Sequence, residues 1–210
     1  MRFGRILAVL AVMFASLVLS NAAAADSVKL TYEYQNQQFY LSVNGSKTYT
    51  ALMCDAYDNK IYKGETWTAT VTPFLQGIAS SMFGPSMTLD YKAAGLIYKS
   101  MLSGSLSVLQ AQWAVWGLFS SNAQNNQLFS TYGGAATDAA YLSLAQTAPN
   151  SSYAGLVLYT PLNAKQGSGP QEFIGGSPTP AVPEPSGLTL FATGLLLLSF
   201  AIRRKFAKSR

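Results

Sequence analysis

The sequence contains no histidine and only one cysteine, Cys54, among its 210 residues. Histidine is the commonest general base and metal ligand at neutral pH, so its absence excludes Ser-His-Asp and Cys-His catalysis and any zinc site that needs an imidazole. A single cysteine cannot form a disulfide within the chain. We therefore expect no enzymatic turnover, no cofactor and no metal site.

Charged residues are also scarce, at 11% of the chain, and the basic ones are concentrated at its two ends. Residues 26–185 contain seven lysines, no arginine and nine acidic residues, which gives a net charge of −2. Binding to nucleic acid needs a clustered basic face. The body of the protein is therefore expected to have no nucleic-acid partner.

The first 25 residues have the order of features found in a secretory signal peptide. Arg2 and Arg5 precede an apolar run at residues 6–19, and four alanines follow at residues 22–25. A positive start, an apolar core and a small-residue exit are typical of a cleaved signal. The alternative is an uncleaved anchor, for which the apolar run is short.

A second targeting pattern ends the chain. Residues 186–202 are apolar and just long enough for a membrane helix. Arg203, Arg204 and Lys205 follow directly, and such basic residues stay on the cytoplasmic side. The pattern predicts a single span with the body outside and the basic tail inside.

Val182, Pro183, Glu184 and Pro185 stand immediately before this apolar segment. Alternating prolines keep a chain extended and out of helices and sheets. The arrangement resembles the PEP-CTERM sorting signal, which implies recognition by an exosortase, a membrane cysteine protease-transpeptidase, in a Gram-negative bacterium that makes exopolysaccharide. The inner membrane would then hold only an intermediate. The alternative is a proline-rich stalk on an ordinary tail anchor.

These boundaries divide the chain into five parts. We predict a signal peptide at residues 1–25 and an extracytoplasmic domain at 26–174. A Pro/Gly-rich linker with the Pro-Glu-Pro motif follows at 175–185, then a transmembrane helix at 186–202 and a basic cytoplasmic tail at 203–210.

The domain reads as α+β, with antiparallel strands in a sandwich-like or barrel-like sheet and a small helical insertion. Strands are expected at residues 28–34, 39–43, 47–52, 67–72, 156–159 and 171–174, with a hairpin turn at Asn44-Gly45. Helices are expected at 91–102 after an Asp90 cap, at 106–119 after a Ser105 cap, and at 137–145. Residues 121–127 read as a loop.

Two short patterns in the body carry a candidate chemistry. Met53-Cys54-Asp55 ends a predicted strand, and Gln112-Trp113-Ala114-Val115-Trp116 lies on a predicted helix. Together they resemble bacterial thioester domains, found on Gram-positive adhesins. The resemblance implies that the Cys54 sulfur condenses with the Gln112 side-chain amide, releases ammonia and leaves a thioester. A bound amine or hydroxyl would be acylated by it.

Several alternatives remain open at this point. Cys54 can equally be an inert buried residue, and Gln110 competes with Gln112 as the partner. Without histidine, Asp55 or a tyrosine would have to activate the nucleophile. We expect an exported, exosortase-sorted surface or exopolysaccharide-matrix protein with an adhesive or structural role. The alternatives are a covalent thioester adhesin and a non-covalent carbohydrate-binding module.

Overall fold

The computed structural model describes residues 25–33, 39–47 and 51–177. The sorting motif, the predicted transmembrane helix and the basic tail lie outside these residues, as does the predicted signal peptide apart from Ala25. Within the described ranges no helix has the length and the apolar character needed to cross a bilayer.

Seven strands form one sheet in which every pairing is antiparallel. The strands are β1 (Ala25–Glu33), β2 (Phe39–Val43), β3 (Ser46–Lys47), β4 (Met53–Cys54), β5 (Thr66–Pro73), β6 (Leu156–Pro161) and β7 (Phe173–Gly176). Their order is β3-β2-β1-β5-β6-β7-β4. Phe39 in β2 also bridges to Leu52, directly before β4, so the ends of the sheet approach each other in a nearly closed barrel. The predicted α+β class with barrel-like antiparallel strands is confirmed.

The predicted hairpin turn joins β2 to β3. Asn44 and Gly45 both have positive φ, 49° and 84°, which is the backbone that a two-residue type I′ turn requires. Val43 pairs with Ser46 across it. Between β6 and β4, strand β7 continues to Gly176, two residues past the predicted end of the domain.

The connection between β5 and β6 holds the α-helices of the described residues. They are α1 (Phe74–Gly77), α2 (Thr88–Leu102), α3 (Val108–Phe119), α4 (Ser121–Gln124), α5 (Gln127–Thr131) and α6 (Gly134–Thr147), with short 3₁₀ turns at Ile78–Ser80, Pro85–Met87 and Asn150–Tyr153. Six helices make this layer larger than the small insertion predicted.

Three local predictions were wrong in detail. Residues 121–127 are largely helical instead of a loop, because the Ser120 and Asn126 side chains accept hydrogen bonds from the first turns of α4 and α5. The cap of α3 is Ser107, not Ser105: its side chain accepts from the Gln110 N–H. Asp90 lies inside the first turn of α2 and does not cap it.

The sheet has an apolar cluster on each face. Side chains alternate between the two faces along each strand. Met53, Leu158 and Ile174 belong to the cluster that holds the buried residues of α2. Their neighbours Cys54, Tyr159 and Phe173 belong to the other cluster. This period of two is what β-structure dictates. Two adjacent residues of β4 therefore point to opposite sides of the sheet.

Candidate functional site

Helix α3 lies beside β4 and contributes to both apolar clusters. Ala114 and Val115 pack in the cluster with α2, whereas Trp113 and Trp116 pack in the cluster with Cys54. Every residue from Ala111 to Phe119 is buried. A helix in this position brings Gln112 to the edge of β4.

The side-chain amide of Gln112 makes two hydrogen bonds to the backbone of Cys54. Its Oε1 accepts from the Cys54 N–H at 3.2 Å, and its Nε2 donates to the Cys54 carbonyl at 2.6 Å. Both residues are fully buried. The amide thus takes the place of a neighbouring strand along the edge of β4 that β7 does not cover.

This arrangement places the Gln112 amide against the backbone of Cys54. The amide carbon of Gln112 carries both Oε1 and Nε2, the two atoms that make these hydrogen bonds. The Cys54 sulfur is joined through one methylene group to the Cα that lies between the Cys54 N–H and carbonyl. Gln110 is half-buried and lies two positions before Gln112 on the same helix, and residues two apart do not share a helix face. Of the two candidate glutamines, the structure sets Gln112 against Cys54.

The surroundings of Cys54 are apolar and aromatic. Burial, followed by the negative field of Asp55, raises the pKa of the Cys54 thiol well above its ordinary value. The Trp116 side chain lies near enough to the sulfur to oppose this rise in part, although its Nε1 makes no hydrogen bond within normal limits to the described residues. The thiol is therefore neutral at physiological pH, and thiolate chemistry is suppressed.

A small cavity of about 220 Å³ lies on the outer side of Trp116. Tyr57 covers both tryptophans, with ring centroids 5.2 Å from Trp116 and 5.7 Å from Trp113. Lys60 and the largely exposed Tyr62 form the rim. Trp116 therefore lines a pocket that opens to solvent and also packs in the cluster that holds Cys54.

Asp55 points to the opposite side of the sheet from Cys54, where it forms a buried carboxyl pair with Glu172. Both are fully buried. Glu172 accepts hydrogen bonds from Tyr91 Oη, Thr160 Oγ1 and the Met82 N–H. Burial, followed by repulsion from Glu172, raises the pKa of Asp55 well above its ordinary value, which favours its protonated form. Neither of its side-chain oxygens has a hydrogen-bond partner among the described residues.

Sequence reasoning did not find Glu172 or the distant partners of this network. Glu172 is 117 positions after Asp55 in the chain, and no local pattern links them. The sequence offers one indication of the pair: Asp55 stands at the end of one predicted strand, and Glu172 lies in another that pairs with it in the sheet. No group of three or more metal-ligating side chains occurs within the described ranges.

The comparisons with known proteins concern the C-terminus. Residues 181–205 match the family model described as the PEP-CTERM protein-sorting motif, a span that holds Val182, Pro183, Glu184, Pro185, Arg203, Arg204 and Lys205. No curated protein and no solved structure matched the chain. The body's likeness to thioester domains stays a prediction.

The matched segment defines the chain as an exported protein with a C-terminal sorting tag. The tag is a PEP-CTERM motif, which implies processing by an exosortase at the membrane and delivery to the cell surface.

Proposed function

We propose that the protein is a non-enzymatic component of the cell surface or exopolysaccharide matrix, where it has an adhesive or structural role after exosortase processing. The observation that carries the proposal is the sorting motif at residues 181–205. The body supports it through its lack of histidine and the enclosure of Asp55 and Glu172 in the core, where they serve the fold.

The test compares extracellular fractions of a host that produces exopolysaccharide with those of a strain that does not. A matrix role predicts that the processed protein remains with sedimented polysaccharide in the first strain and is released into the medium in the second. Equal release in both strains would contradict the role in the matrix. A glycan array then separates specific carbohydrate binding from a purely structural role.

A second function, a covalent adhesin, is favoured by the contact between the Gln112 amide and Cys54. In the proposed step, sulfur attacks the amide carbon, the C–N bond breaks, the thiol proton passes to the leaving nitrogen, and ammonia departs. The product is a Cys54–Gln112 thioester. An amine or hydroxyl that enters beside Trp116 would attack the same carbon and restore the thiol.

Intact mass decides whether the thioester forms. Thioester formation lowers the mass of the chain by about 17 Da, the mass of ammonia, and removes the thiol from reaction with alkylating agents. Because Cys54 is buried in the folded protein, a free thiol would also escape the alkylating agent, so alkylation has to be measured after denaturation. Methylamine should add its own mass and release one alkylatable thiol.

The chain offers matched controls for this measurement. Cys54→Ser and Gln112→Ala should each show the full mass calculated from the variant's sequence, because neither can form the thioester. Gln110→Ala should still lose ammonia. If the parent protein has its full mass and alkylates at Cys54 after denaturation, the thioester proposal fails, and the sorting-based proposal is unaffected.

A further inference from the structure

A second cavity, lined in part by Gly117 and Leu118 of α3, has a volume of about 370 Å³. Its apolar walls are formed by Leu118, Phe129 and Leu142. Two acidic residues, Asp90 of α2 and Asp138 of α6, also line it. The volume falls in the range of pockets that hold small ligands.

Asp138 is the unusual member of this cavity. Only 8% of its surface is exposed, and its Oδ1 is buried with no hydrogen-bond partner among the described residues. A buried carboxylate oxygen without a partner is costly, and native structures rarely contain one. Burial, followed by repulsion from Asp90, raises the pKa of Asp138 to about 8.

Gly117 allows Asp138 to sit this close to α3. A Cβ at position 117 would lie 2.8 Å from Asp138 Oδ2, which is nearer than real Cβ contacts allow. Gln124 also lines the cavity, and its Nε2 already donates to the Gly117 carbonyl at 2.7 Å. The second N–H of Nε2 stays a possible donor, and the Gln124 side-chain oxygen is an acceptor. The two ionisable groups of the cavity, Asp90 and Asp138, are both carboxyls that accept hydrogen bonds.

We propose that this cavity binds a primary alkylammonium group, with the ammonium between Asp138 and Asp90 and its methylene stem against Leu118, Phe129 and Leu142. An ammonium supplies three N–H donors and a positive charge. The charge offsets the repulsion between Asp138 and Asp90, and the donors serve the carboxyl groups that line the cavity. The stem matches the apolar walls, as lysine stems do elsewhere. A lysine side chain and a free diamine both carry this group.

The test uses the full chain in a non-ionic detergent, with binding followed by NMR chemical shifts. The probes are Nα-acetyl-lysine N-methylamide, cadaverine, and the uncharged control Nα-acetyl-norleucine N-methylamide. Measurement at pH ~9 keeps Asp138 ionised while the ammonium remains charged. The lysine probe should bind at least ~10-fold more tightly than the norleucine probe, because hydrogen bonds between charged groups are worth more than neutral ones.

Asp138→Asn keeps the shape of the side chain and should reduce the lysine probe to the affinity of the norleucine probe. Asp90→Asn, a more exposed position, should weaken binding in the same direction and serves as a second variant if Asp138→Asn does not fold. Tighter binding of cadaverine than of the lysine probe would identify a free diamine as the better fit. The proposal is overturned if the lysine and norleucine probes bind equally, if neither binds, or if lysine binding survives both substitutions.

Discussion

Replacing Gln112 with leucine should destabilise the exported domain strongly when the Gln112 amide is intact, as it is in the structure. Leucine is close to glutamine in size but has no amide, so the Cys54 N–H and carbonyl both lose the partners that they contact at 3.2 and 2.6 Å. Gln112 and Cys54 have no exposed surface, and water therefore cannot replace the amide without opening the contact between α3 and β4.

The magnitude follows from these two groups. A buried polar group left without a partner costs about 1–3 kcal/mol, so two such groups should lower the free energy of unfolding by about 2–6 kcal/mol. For a domain of this size the melting temperature should fall by at least ~4 °C. Burial of the more apolar leucine side chain offsets part of this loss.

The assay is denaturant unfolding of the full chain in detergent, followed by tryptophan fluorescence. Trp113 and Trp116 pack beside Cys54, so their emission reports on this region. Gln110→Leu is the matched control, since Gln110 is half-buried on the same helix, and it should change the free energy of unfolding by less than ~0.5 kcal/mol. Equal stability of the two variants would refute the structural role assigned to Gln112.

Two further substitutions test other parts of the structure. The folded-state pKa of Asp138, about 8, exceeds its ordinary value of 3.8, so the stability that its protonated form contributes is fully present below pH ~4 and is lost as the pH rises to about 8. Asp138→Asn should remove this decline of ~2–5 kcal/mol in the free energy of unfolding. A pH profile of stability that the substitution leaves unchanged would contradict the burial of the Asp138 charge. Tyr98 Oη donates to the Ala51 carbonyl at 2.9 Å and accepts from the Gly176 N–H at 3.2 Å. Tyr98→Phe should therefore lower the free energy of unfolding, measured by thermal unfolding, by about 1–3 kcal/mol, whereas Tyr141→Phe, at a half-buried position, should change it little. Equal losses in the two variants would contradict the role of the Tyr98 hydroxyl.

Local patterns in the sequence predicted much of the secondary structure. The Asn44-Gly45 turn and the bounds of β2 were predicted correctly, because turn chemistry and period-two alternation are properties of neighbouring residues. The helix predicted at 91–102 begins three residues earlier in the structure, at Thr88. Helices α4 and α5 were missed because each has only four or five residues, too few to show an apolar period.

Long-range features could not be read in the same way. The contact of Gln112 with Cys54 depends on where α3 packs along the sheet, and the motif resemblance indicated the pair without its geometry. The partnership of Asp55 with Glu172 depends on the pairing of β7 with β4. The burial of Asp138 depends on the absence of a side chain at Gly117. None of these is encoded by spacing along the chain.

The central claim, that the protein is an exported surface component sorted through its C-terminal tag, is tested most directly by intact mass spectrometry. The protein would be recovered from a host with an exosortase and from the same host without the enzyme. We predict that the first strain yields a surface or extracellular form that lacks the C-terminal residues following the motif at Pro183, Glu184 and Pro185. The strain without the enzyme, and the Pro183→Ala/Pro185→Ala variant in the first strain, should retain a membrane-held form that extends to Arg210. Recovery of the same C-terminus from both strains and from the variant would contradict the claim.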